Sequence, residues 1–247
     1  MLYINHEKKA IFIHIPKTAG SYISKILVKY YGFTSYLHII ANRRPDHDII
    51  CCKNNFPIIL TGNNLYDNSY FNKCIGLLFY CKTSNYINQQ CDMNEEKWNT
   101  YFKFCFIRHP YYRALSAWKH INNILPNILE FDEYICQNKF NVSDIEYGHF
   151  FMSQSQYVTD ENGKCGVNEF GRFEHLEEDL KLILNKIGFE IILHKLNNNL
   201  KKINSSNEYN ENNSTELVLS KKSILILNHL FEDDFKNLNY KKTKIKK

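Results

Sequence analysis

A β-prone run from Ala10 to Ile15 breaks at Pro16, and the chain then reads Lys17-Thr18-Ala19-Gly20-Ser21 before a helical pattern begins. This stretch constrains the rest of the chain more than any other. Ile23, Ile26, Leu27 and Tyr30 recur at helical spacing, which predicts a helix over 21–31 that stops near Gly32. A strand, a small-residue loop and a helix in direct succession make an anion cradle. The loop N–H groups and the helix N-terminus point at the ligand, and a lysine adds a full positive charge. Gly20 permits close approach of the backbone, and Ser21 is placed as a helix N-cap or as a hydroxyl donor to an oxyanion. The loop is not a Walker A motif, because its lysine precedes the glycine instead of following it.

A second strand–turn–helix unit lies at 101–121. Phe102 to Ile107 alternate as a buried strand, Arg108-His109-Pro110 ends it, and helical spacing resumes from Tyr111. Arg108 therefore stands at a strand's C-terminal end, where open α/β sheets bind their ligands. Its guanidinium can hold a phosphate with two hydrogen bonds. Ser116 follows eight residues later, about two helical turns on, where it can face the same pocket.

PKTAGS resembles the 5′-phosphosulfate loop of carbohydrate sulfotransferases, and Arg108, Pro110, Arg113 and Ser116 resemble the same family's second motif. The likeness continues at His149 to Tyr157 and at Phe170 to Asp179, and it weakens over 33–80 and the C-terminal fifth. The resemblance implies an α/β fold in which a central parallel sheet is flanked by helices, related to the P-loop nucleotide kinases. It implies 3′-phosphoadenosine 5′-phosphosulfate (PAPS) as donor and no metal. Lys17, Thr18, Ala19, Gly20, Ser21 and Tyr22 would hold the phosphosulfate, and Arg108 and Ser116 the 3′-phosphate. Lys17 would also neutralise the leaving group. Arg172 is placed near the donor. The acceptor would be a hydroxyl of a carbohydrate-type molecule.

Two departures stand out. Relatives carry Asn or Asp where this chain has His109, and the histidine they place ahead of the arginine motif is replaced by Cys81-Lys82-Thr83-Ser84. The candidate general bases are then His38 and His149, with His47 behind them. Two other readings stay open: a catalytically impaired PAPS- or nucleotide-binding module, and a P-loop small-molecule kinase.

The chain of 247 residues is long enough for one sizeable core, so a single domain is expected over 1–247. Residues 1–9 read as a polar lead-in, 197–215 as a solvated polar loop and 241–247 as a basic tail. A net charge of +5 favours an anionic ligand but is too small to point to nucleic acid. No run of about 18 apolar residues predicts a membrane span, and the N-terminal residues lack a signal-peptide core. The eight cysteines follow no metal-ligand spacing, and Cys105 reads as a small core residue. A cytoplasmic or otherwise soluble chain with free thiols is expected.

Further strands are expected at 36–40, 57–61, 74–80 and 170–173. Further helices are expected from Asn94 through Trp98, at 127–137, from Leu176 to Gly188 and at 216–231.

Overall fold

A computed structural model describes residues 2–36, 49–53, 56–60, 91–125, 129–139, 148–159, 164–190 and 219–243. Its centre is a five-stranded sheet in the order β3-β1-β2-β6-β7. These strands are β1 (Leu2–Asn5), β2 (Ala10–Ile13), β3 (Thr34–Tyr36), β6 (Phe102–Ile107) and β7 (Glu169–Arg172). A separate antiparallel pair joins β4 (Ile49–Lys53) to β5 (Phe56–Leu60). The strand expected at 57–61 is therefore present, but it pairs outside the central sheet. The strand expected at 74–80 and the polar loop at 197–215 lie outside the described residues.

The sheet is mixed, which corrects the expectation of a parallel one. β2, β6 and β7 run parallel, with Ile13 opposite Cys105 and Ile107 opposite Arg172. β1 is antiparallel to both β2 and β3. The supposed lead-in at 1–9 is the source of this difference. Leu2 to Asn5 are all buried, and they pair with β2 across a turn at 6–9. Four residues are too few to show an alternation that marks a strand by itself, so the reading from sequence was of a polar terminus.

Alternation along the strands feeds two cores. Ile11, Ile13, Cys105 and Ile107 face one side, with Trp98 of α2 (Glu95–Thr100), Met152, and Tyr157 of α5 (Ser155–Val158). Phe12, Phe104 and Phe106 face the other, against Ile23, Ile26 and Leu27 of α1 (Gly20–Tyr30) and Leu180, Ile183 and Leu184 of α6 (Leu176–Ile187). Cys105 is fully buried, as its place in the apolar strand suggests. α6 ends at Gly188, whose φ of 84° is the left-handed value that glycine takes without strain.

A third core is built from helices alone. α3 (Pro110–Ile124) contributes Tyr111, Ala114, Ala117 and Ile121, and α4 (Phe131–Cys136) contributes Phe131, Tyr134 and Ile135. Leu227, Phe231 and Phe235 complete it. The helix expected over 216–231 is α7 (Lys221–Leu230), and a further short helix that the sequence did not suggest, α8 (Glu232–Asn237), follows it. Among the described residues no helix is long and apolar enough to cross a membrane.

Residues 241–243 do not behave as a free tail. The Thr243 N–H donates to the Tyr111 hydroxyl at 3.2 Å, and the Lys242 ammonium lies 5.7 Å over the Phe235 ring.

Candidate functional site

The three parallel strands bring three chain segments to one edge. The loop after β2 carries Lys17, the turn after β6 carries Arg108, and Phe173 follows β7 directly. The Arg108 guanidinium stacks on the Phe173 ring at 3.9 Å and makes a long hydrogen bond, 3.5 Å, to the Lys17 carbonyl. The two cationic residues singled out in separate motifs, 91 positions apart, are therefore neighbours.

The loop holds an unusual backbone. Lys17 and Ala19 both have positive φ, 70° and 65°. Left-handed geometry costs a non-glycine residue roughly 1–2 kcal/mol. The fully buried Thr18 between them fixes the turn, because its hydroxyl donates to the Ile15 carbonyl at 2.9 Å. The Ala19 carbonyl accepts from the N–H groups of Tyr22 and Ile23, so α1 begins at Gly20. Ser21 is then inside the helix and exposed, and the N-cap role suggested for it falls to Ala19, which offers no side-chain cap. The first-turn N–H groups have no intrahelical acceptor by helix geometry, and they stand beside Lys17. Tyr22 turns inward: its ring joins the core below the sheet and its hydroxyl is buried.

Gly20 is required by His14. A Cβ at position 20 would lie 1.8 Å from the His14 ring. That imidazole has a buried Nδ1 without a partner, and burial, aided by nearby positive charge including Lys17, lowers its pKa to about 3. It is neutral at working pH. Lys17 itself is pushed down to about 8, first by burial and then by the charge of Arg108. Two like charges held together under partial burial repel each other, and an anion between them would relieve that repulsion. This is the observation that fits the loop to a phosphosulfate.

Arg108 is positioned through its backbone. Gln154 donates to the Arg108 carbonyl at 2.8 Å and accepts from its N–H at 2.9 Å. Gln154 is fixed in turn by the fully buried Asp234, which also accepts from the Ser153 hydroxyl at 2.5 Å and the Ser155 N–H at 2.8 Å. Asp234 comes from α8, and nothing in its run Glu232-Asp233-Asp234 distinguishes it from a solvated helix start. Arg113 of the second motif is fully buried and donates to the carbonyls of Phe150 and Met152, so it braces the 148–152 turn.

His109, the departure from the family pattern, fills an aromatic cage of Tyr111, Tyr112, Phe235 and Tyr240. Its backbone N–H donates to Glu174 at 2.7 Å, and Glu174 also accepts from the Tyr240 hydroxyl. Burial lowers the imidazole's pKa. Arg172 is occupied on the same side, donating to the Leu238 carbonyl and stacking on Tyr240.

Of the other site residues named from sequence, Ser116 is half-buried on α3, one helix along from Arg108. His149 sits in the 3-10 turn Gly148–Phe150, with its ring 3.9 Å from that of Phe150 and its carbonyl accepting from the Tyr157 hydroxyl. His38, His47 and Cys81 to Ser84 lie outside the described residues. The Phe150 ring, from the same turn as His149, has the Lys17 ammonium 5.7 Å over its centre. His120, on α3, meets the same ring at 5.1 Å. No group of three or more potential metal ligands occurs among the described residues.

Carbohydrate sulfotransferase 10 of Xenopus laevis is similar, with 23% identity over 274 aligned positions that cover 97% of this chain and 67% of the relative. No solved structure matches the chain. The model of the sulfotransferase family matches residues 1–241, both strand–loop–helix units and the C-terminal helices that support them included, and the chain belongs to that family.

Proposed function

We propose that the protein moves a sulfuryl group from PAPS to a hydroxyl of a carbohydrate-type acceptor. The observation that carries this reading is the meeting of Lys17 and Arg108 at the C-terminal edge of the parallel strands, beside the uncapped start of α1. The family supports the transferase chemistry, and the relative's name supports a carbohydrate acceptor.

When bound, the donor supplies an activated sulfuryl group. The residues of this chain do the rest. The N–H groups at the start of α1 and the loop Thr18-Ala19-Gly20-Ser21 hold the phosphosulfate, and Tyr22 anchors that loop in the core. Arg108, its flat face already fixed on Phe173, takes the 3′-phosphate together with Ser116. Lys17 neutralises charge on the departing phosphate oxygen, which dominates in the loose transition state of such transfers. A base accepts the acceptor's proton.

Calorimetric titration with 3′-phosphoadenosine 5′-phosphate (PAP), the desulfated product, tests the donor site. Wild type should bind it well and AMP poorly. Lys17→Ala and Arg108→Ala should each weaken binding by about 1.5–3 kcal/mol, roughly ten- to hundredfold, as for loss of a charged hydrogen bond. Equal affinity for PAP and AMP would count against the reading and favour a nucleotide-binding module of another kind.

A further inference from the structure

The proposed reaction needs a base, and α3 carries a histidine that the sequence motifs do not mark. His120 lies one helical turn beyond Ser116, and residues at that spacing share a helix face. It is half-buried, and its exposed part is where an acceptor can reach it. Its ring meets Phe150 edge-on, with centroids 5.1 Å apart and planes at 86°. The Lys17 ammonium lies 5.7 Å from the centre of the same ring. The Phe150 turn is held in place by Arg113, whose guanidinium donates to the Phe150 carbonyl at 3.0 Å. Arg113 and His120 belong to one helix, so the spacing between His120, Phe150 and Lys17 is set by the scaffold.

We propose that His120 is the general base that takes the proton of the acceptor hydroxyl, with Phe150 forming the floor between it and Lys17. This rests on the sulfotransferase reading above. In the step, the acceptor oxygen bonds to sulfur as its proton passes to an imidazole nitrogen of His120. The bond from sulfur to the 5′-phosphate oxygen breaks, and its electron pair leaves with that oxygen toward Lys17.

The surroundings suit this role. Among the described residues, the charged and titratable groups that meet Phe150 beside His120 are Lys17 from the loop, Arg113 from α3 and His149 from the turn. Partial burial and the Lys17 charge lower the pKa of His120, so the imidazole is neutral near pH 7 and free to accept a proton. An anion seated at Lys17 cancels that repulsion. His120 therefore becomes more basic when the donor site is filled, which couples proton acceptance to donor binding.

The test uses the full chain with labelled histidine rings, titrated by NMR with and without saturating PAP. Turnover is read as PAP release from PAPS, with unsulfated chondroitin and heparosan offered as acceptors, or with water where neither is taken. The ring signal lost in His120→Gln should titrate below the ordinary histidine value and move up by about one pH unit or more with PAP. His120→Gln should keep PAP affinity while turnover falls roughly 10²–10⁴-fold. The acid limb of the wild-type profile should vanish in the variant. A His120 signal indifferent to PAP, turnover within about tenfold of wild type, or a loss confined to His149→Gln would overturn the proposal and leave the donor site standing. Failure of the wild type to bind PAP would instead remove the donor reading itself.

Discussion

Lys17 is the residue on which most of the chemistry converges, and its titration is a direct handle on the site. Burial and Arg108 hold its pKa near 8 in the free protein. A bound anion stabilises the ammonium and raises that value. Between about pH 8 and the higher bound value, the complex carries more protons than the free protein, so binding strengthens as pH falls through this window and levels off below it. PAP affinity measured calorimetrically from pH 7 to 10 should therefore decline above about pH 8. Lys17→Ala should flatten that decline as well as weaken binding. The importance of Lys17 was legible from its place in the motif. Its depressed pKa was not, because burial and the approach of Arg108 come from chain segments 91 positions apart.

The loop between β2 and α1 is the element whose shape is most tightly determined. Its two left-handed residues are held by Thr18, and its glycine makes room for the His14 ring. Gly20→Ala should cost about 1–3 kcal/mol in a urea unfolding series, the usual range for overpacking. It should also weaken PAP binding, since the ring or the loop must move. His14→Ala removes the ring that the new Cβ meets. The double variant should recover much of the Gly20→Ala loss, a non-additivity expected only of residues in contact. The glycine was read from sequence as room for a ligand, and the structure adds a second reason, a neutral imidazole against its backbone. The Ser21 cap fell for an equally local reason: Ala19 adopts the left-handed conformation and starts the helix one residue early.

At the scale of the molecule, the C-terminal helices are part of the site's foundation. Asp234 accepts three hydrogen bonds from Ser153, Gln154 and Ser155, and Gln154 holds both backbone groups of Arg108. Asp234→Ala leaves three buried donors unmet, and a loss of roughly 3 kcal/mol or more follows from the cost of each. The expected result is a lower urea midpoint together with weaker PAP binding, although Asp234 touches no ligand. Rescue of both by Asp234→Asn, which keeps one acceptor oxygen, should be partial. Unchanged PAP affinity in a folded Asp234→Ala protein would show that Arg108 is held by other means. The cage around His109 ties the same C-terminal segment to the second motif through Glu174 and Tyr240.

The sequence by itself determined the two strand–turn–helix units, their order and the chemistry at their tips. Those features are written in local periodicity, in Pro16, Gly20 and Pro110, and in the charges of Lys17 and Arg108, all of which act within a few residues of themselves. Tertiary structure alone decided that Leu2 to Asn5 form an antiparallel strand, that Asp234 is buried against the Gln154 that holds Arg108, and that Lys17 and His120 both meet the ring of Phe150. Strand pairing and the burial of a carboxylate depend on which distant segment comes to lie alongside, and a residue's near neighbours in the chain carry no record of that partner.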